Sequence, residues 1–121
     1  MLRLVLVVCS DDQWLQAWCA VVRRAGHRFL PAPTIERALF LLGKVRPDLV
    51  LTDAELVDGR AHVLIRAIRA VAALEQVRVV VLGAVTAEER HDLARDSLVH
   101  VREGADGSVV GALLEEFLDR A

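Results

Sequence analysis

The sequence is short of cysteine, of lysine and of any long hydrophobic run. Cys9 and Cys19 are the only cysteines in 121 residues, whereas a secreted domain of this size usually carries a larger, even set. Both stand in apolar stretches, as small buried thiols do, so a reducing, cytoplasmic setting is expected. No stretch approaches the roughly 20 apolar residues that a membrane span needs. The opening "MLRLVLVV" meets its acidic break too soon for a signal peptide. Lys44 is the only lysine, and the formal charge is -2 with a pI of about 6.1. No basic face is clustered, so a nucleic-acid partner is not expected. Internal repeats, linkers and low-complexity tracts are missing too.

What is present is apolar mass and its arrangement. Hydrophobic residues make up 55% of the chain and charged ones 26%, enough for one well-filled domain and too short for two. Five apolar runs recur at regular intervals: "RLVLVV" (3–8), "HRFL" (27–30), "DLVLT" (48–52), "VRVVVL" (77–82) and "LVHV" (98–101). Three are Val-rich and nearly continuous, the signature of strands buried on both faces. The second and fifth are weaker, as edge strands are.

Helical spacing fills the intervals. Residues 12–25 align Trp14, Trp18, Val21, Val22 and Ala25, with Gly26 as the stop. Residues 34–45 align Ile35, Ala38, Leu39 and Leu42 behind a Thr34 cap. Residues 60–73 align Leu64, Ile65, Ile68 and Ala72. "TAEE" (86–89) is a capping box. Residues 106–119 align Val109, Val110, Leu113, Phe117 and Leu118 behind Asp106. Five strand–helix alternations with short connections predict an α/β domain with a parallel sheet covered on both faces.

In such a doubly wound sheet the working site lies beyond the carboxyl ends of the strands. There the sequence puts Cys9, Ser10, Asp11 and Asp12 after the first strand and Asp53 at the end of the third. Gly83 and Ala84 follow the fourth, and Arg102 and Glu103 follow the fifth. Cys9 makes a poor nucleophile: two Asp follow it, and Leu15 stands where a phosphatase loop wants its Arg. Asp11 or Asp12 suits the N-cap of the first helix. His27, His62, His91 and His100 show no ligand spacing and read as surface or strand residues. Trp14 and Trp18 read as core, and Phe40 falls off its helix's buried stripe.

"PDLVLTD" (47–53), "RRAGHRFLPAPTIERALFLL" (23–42) and "VRVVVLGA" (77–84) carry a resemblance over the whole chain. The sequence resembles the receiver domains of two-component response regulators. The resemblance implies a flavodoxin-like (βα)5 fold, a five-stranded parallel sheet in the order 2-1-3-4-5, and one receiver-like domain over 1–121 without an output domain. It implies that Asp53 stands at the phosphoacceptor position. The family's chemistry uses two acids after the first strand, which with the acceptor Asp hold Mg²⁺. A Thr or Ser after the fourth strand and a Lys after the fifth complete it.

Of these five side chains only Asp53 is intact. Cys9 and Ser10 occupy the acidic-pair positions, Gly83 the hydroxyl position and Arg102 the Lys position. Glu103 stands for the Pro that follows, and Val57 for the Pro four residues past the acceptor. The segment between Gly83 and Arg102 is about one helical turn short. Shifting the register by two residues to recruit Asp11 and Asp12 breaks the spacing from Cys9 to Gly26 and moves Trp14 and Trp18 off the buried face.

The expectation is a degenerate receiver, not an enzyme and without a cofactor, acting by protein–protein contact. Its partner is a kinase, another regulator or a second copy docked through the 87–119 face. The alternative is a working receiver phosphorylated on Asp53, with Asp11 and Asp53 as the Mg²⁺ ligands. A small flavodoxin-like enzyme or cofactor binder is disfavoured, since no Gly- or hydroxyl-rich phosphate loop follows the first strand. Arg102 has two readings: it pairs with Asp53, a guanidinium fork standing in for the metal, or it is a solvated Arg at a strand end.

Overall fold

The computed structural model describes residues 3–119. In chain order the main elements are β1 (Leu4–Val8), α1 (Asp12–Arg24), β2 (Arg28–Ala32), α2 (Ile35–Leu42), β3 (Leu49–Asp53), α3 (Ala61–Arg69), β4 (Arg78–Leu82), α4 (Ala87–Leu93), β5 (Val99–Arg102) and α5 (Gly107–Leu114). A wider π turn continues α5 over Glu115–Asp119. A short antiparallel hairpin, Glu55–Leu56 with Gly59–Arg60, lies between β3 and α3. The five long strands pair in parallel in the order β2-β1-β3-β4-β5. This is the flavodoxin-like arrangement expected from the sequence.

The Val-rich runs become the three central strands because each has a helix layer on both sides. Along β1, Val5 and Val7 face one way and Leu6 and Val8 the other, as strand geometry requires. Val5, Val7, Leu49, Leu51, Val80 and Leu82 pack with Leu15, Trp18, Val22, Val110 and Leu113 of α1 and α5. Leu6, Val8, Val50, Val79 and Val81 pack with Ile35, Ala38, Leu42, Leu64, Ile68 and Leu93 of α2, α3 and α4. Among the described residues no helix is long and apolar enough to cross a membrane.

Helix starts follow the predicted caps. Asp11, Thr34, Thr86 and Asp106 each accept an amide from the helix that they open, and Thr86 with Glu89 forms the full capping box. Helix stripes need correction at four positions. Trp14 is 45% exposed: it stands in the first turn of α1, whereas Val21, two turns on along the same side, is buried. Trp14 therefore does not weigh against a shifted register, although Trp18 is fully buried. Ala25 is exposed because it is the C-cap of α1. Leu39 sits outside the Ile35, Ala38 and Leu42 stripe. Ala72 lies past the end of α3, in a separate 3-10 turn.

His27 also departs from its reading, because it is buried. Its Nδ1 accepts the Arg3 amide at 3.2 Å, so Nε2 carries the proton and donates to Asp119 at 2.9 Å. The loop between α1 and β2 places it between the start of β1 and the last turn of the chain's final helical segment.

Candidate functional site

The ladder runs one residue beyond three strands. Cys9 N donates to Ala32 O, Ala54 N to Leu82 O, and Gly83 N to Arg102 O. These bonds gather Cys9, Asp53 and Gly83 at the rim of the central strands. Cys9 and Ser10 thus stand on the rim and Asp11 in the cap of α1.

Asp53 is half-buried, and burial raises its carboxyl above the ordinary value, with the Glu55 amide pulling the other way. Its nearest side-chain partner is a thiol. Cys9 Sγ lies 3.8 Å from Asp53 Oδ2 and 3.6 Å from the Asp11 carbonyl oxygen. Burial pushes this thiol up to about 11, so at neutral pH it is a protonated donor and not a nucleophile. That agrees with the sequence reading of Cys9.

Gly83 fills the space on the other side. Its φ is +119°, and a Cβ there would stand 3.1 Å from Asp53 Oδ1. The chain at this point follows a backbone path that few L-residues take, and it brings the glycine against the carboxylate. A hydroxyl residue in the same backbone conformation would press on Asp53.

The remaining rim side chains are committed elsewhere. Ser10 Oγ donates to Pro33 O at 2.6 Å and accepts from Val57 N at 2.9 Å, which fastens the loops after β1 and β2 to the hairpin. Asp11 Oδ1 accepts from Trp14 N. Arg102 does not reach Asp53 and is not simply solvated. Its Nη2 lies 3.3 Å from both carboxylate oxygens of Glu116, and its guanidinium lies over the Phe117 ring. The long stem thus finds an acid on the last helical turn instead of crossing the rim. Glu103 meets Arg90 at 3.3 Å, and among the described residues every peptide bond is trans.

Two rim residues carry ties that the sequence reading missed. Asp58 accepts from Ile35 N and Glu36 N at 2.9 and 3.1 Å. With Thr34 accepting from Arg37 N, the first three amides of α2 are satisfied, two of them by the hairpin. The Ile35 amide, its largest influence, holds Asp58 below the usual carboxylate value. Arg60 donates to both oxygens of Glu89 at 2.9 and 3.0 Å and to Ala84 O at 3.3 Å. It joins the start of α3 to the start of α4. "DG" at 58–59 is a turn signal that could have flagged the hairpin; nothing local flags Arg60.

Receiver folds imply Mg²⁺, and these residues do not suit it. A small hard cation wants an octahedron of oxygens, with carboxylates among them. The rim offers the Asp53 carboxylate, a protonated thiol, a hydroxyl already bonded twice, an Asp engaged as a cap and an exposed Glu55 on the hairpin. Among the described residues no three His, Cys, Asp or Glu side chains are arranged to hold a metal.

Neither a family model nor a curated protein matches the chain. Several solved structures share its fold. The chemotaxis response regulator CheY4 of Vibrio cholerae has a TM-score of 0.87 at 16% identity, over 98% of this chain and 100% of that one. The N-terminal domain of a response regulator receiver protein from Methanoculleus marisnigri is 23% identical, with a TM-score of 0.75 over 98% of each chain. The phosphorylated cyanobacterial phytochrome response regulator RcpA gives 0.83 at 18% identity, over 100% of this chain and 97% of that one. The chain therefore has the receiver-domain fold along its length.

Proposed function

We propose that the chain is a receiver-like module of two-component signalling that works by protein–protein contact without phosphorylation. One observation carries this reading: Asp53 is faced by the Cys9 thiol on one side and the Gly83 backbone on the other, and of the nearby acids Glu55 is exposed on the hairpin and Asp11 is engaged as a helix cap. Phosphoryl acceptance by a carboxylate needs positive charge beside the incoming group. Among the described residues no three His, Cys, Asp or Glu side chains are arranged to hold a metal, and Arg102 is turned to Glu116. The bonds of Ser10, Asp58 and Arg60 add a second reason. They fasten the rim loops to one another in one arrangement, as suits a module with a single working conformation. Its partner is a kinase, another regulator or a second copy.

The test is intact mass after incubation with a small phosphodonor and Mg²⁺, beside an Asp53→Ala control, with circular dichroism to verify folding. The expected result is no adduct on either protein. A phosphoryl adduct that the control lacks would establish the alternative, an atypical but working receiver in which Asp11 is the next residue to mutate.

A further inference from the structure

The exposed apolar side chains of this molecule are not spread evenly. The large ones are Trp14, Leu39, Phe40, Val45, Val57, Val63 and Val71. Six of the seven belong to α2, α3, the hairpin between them or the turns that follow those helices. None belongs to α4, β5 or α5, the segment through which a receiver-type dimer was expected.

The centre of this distribution is α2. Phe40 is 52% exposed. The Arg37 guanidinium lies 4.9 Å and the Lys44 ammonium 5.1 Å from its ring centroid. Spacings of three and four put the three side chains in one stripe, and cations over an aromatic face are attracted by its quadrupole. Among the described residues the ion pairs use Arg3, His27, Arg60, Arg69, Arg90 and Arg102, and neither Arg37 nor Lys44. Glu36 is the one acid in α2, and α3 has none. The stripe is thus an apolar ring bracketed by two cations without acidic partners, flanked by exposed Leu39 and Val45.

We infer that the outer face of α2 docks an acidic amphipathic segment of a different protein, whose carboxylates meet Arg37 and Lys44 and whose apolar side chain covers Phe40. The inference rests on the reading of the chain as an interaction module and names the kind of partner. A second copy fits poorly. Setting α2 against α2 opposes Arg37 and Lys44 to their own kind. The acid-rich elements, with Glu88, Glu89 and Asp92 on α4 and Glu115, Glu116 and Asp119 after α5, supply the charge. They present no exposed large hydrophobic to cover the ring.

The experiment titrates the ¹⁵N-labelled full chain with a synthetic amphipathic peptide of Glu and Leu, and with the same peptide carrying Lys for Glu. Amide shifts are expected in 36–45 with the acidic peptide and none with the basic one. Affinity is expected to fall about tenfold on raising salt from about 0.05 to about 0.3 M. It should fall at least about tenfold in Phe40→Ala and in the double variant Arg37→Glu, Lys44→Glu. These side chains are exposed, so amide spectra outside α2 should stay unchanged. Shifts confined to 87–119, equal binding of both peptides or no binding would overturn the inference. So would self-association that Phe40→Ala abolishes, which makes the occupant a second copy. A phosphoryl adduct on Asp53 would instead overturn the phosphorylation-independent reading and leave these outcomes as they stand.

Discussion

The same three strands, β1, β3 and β4, behave differently along their length and at their tips. Along their length the residues from Val5 to Val8, Leu49 to Leu51 and Val79 to Leu82 are almost wholly buried, and any apolar residue of similar shape would serve. At their tips Cys9 and Gly83 each stand against Asp53, and each single residue decides what chemistry is available. A fold is held by a pattern that tolerates substitution, whereas a phosphoryl site is held by particular atoms. The same fold can therefore persist while the side chains at its rim change.

That contrast sets the size of the expected effects. The largest belongs to the interior. Trp18 is buried in the layer of α1 and α5, and its Nε1 donates to Ala105 O at 2.7 Å. Trp18→Ala should cost about 3–5 kcal/mol in urea unfolding. A cost under about 1 kcal/mol would mean that this layer is not tightly packed. Next comes Gly83→Thr. The positive φ and the approach to Asp53 should make it cost on the order of 1–3 kcal/mol, and an unchanged unfolding midpoint would refute the crowding described for this position.

The rim ties should follow. Ser10→Ala removes a donor and an acceptor between three loops and should cost about 1 kcal/mol. Asp58→Ala, which uncaps two amides of α2, should cost about the same. The Asp58 carboxyl is held below its ordinary value of 3.8. Its contribution is therefore complete above that value and lost as pH falls through the lower folded value. Acid unfolding of Asp58→Ala should show a shallower pH dependence than the parent in that range.

The smallest effect should come from Asp53→Asn, and its sign is the informative part. Burial raises the folded carboxyl above 3.8, so the folded state holds this proton more tightly than the unfolded chain does. Stability is then fullest below 3.8 and falls as pH rises through the raised folded value. At neutral pH the ionised group is a net cost, and Asp53→Asn should raise the melting temperature by a few degrees or less. A drop would show that the carboxylate has a partner the described contacts lack.

Strands and caps were legible in the sequence to within a residue or two because they rest on local pattern. Continuous Val-rich runs mark central strands, and Thr86 with Glu89 marks a helix start through bonds three residues apart. The rim was legible only as an inventory of side chains. The partners of Ser10 lie 23 and 47 residues away, those of Arg60 24 and 29 away, and the partner of His27 92 away. No short window contains them. Arg102 is the clearest case: its nearest acid depends on how the last turns pack on β5, and Glu116 proved closer than Asp53. Trp14 differs for another reason: helical spacing gives the side of a helix but not the position along it, and Trp14 stands in the first turn of α1 while Val21, on the same side two turns later, is buried.

A carboxylate at Asp53 that recruits no metal ion is the proposal most directly open to test. The direct measurement is the ¹³C titration of the Asp53 carboxyl by NMR, with and without millimolar Mg²⁺. The account predicts a midpoint above the ordinary aspartate value in both cases, with no displacement by the ion. A midpoint driven down by Mg²⁺, with matching shifts at Ser10 and Asp11, would contradict it and return the rim to the phosphorylation switch.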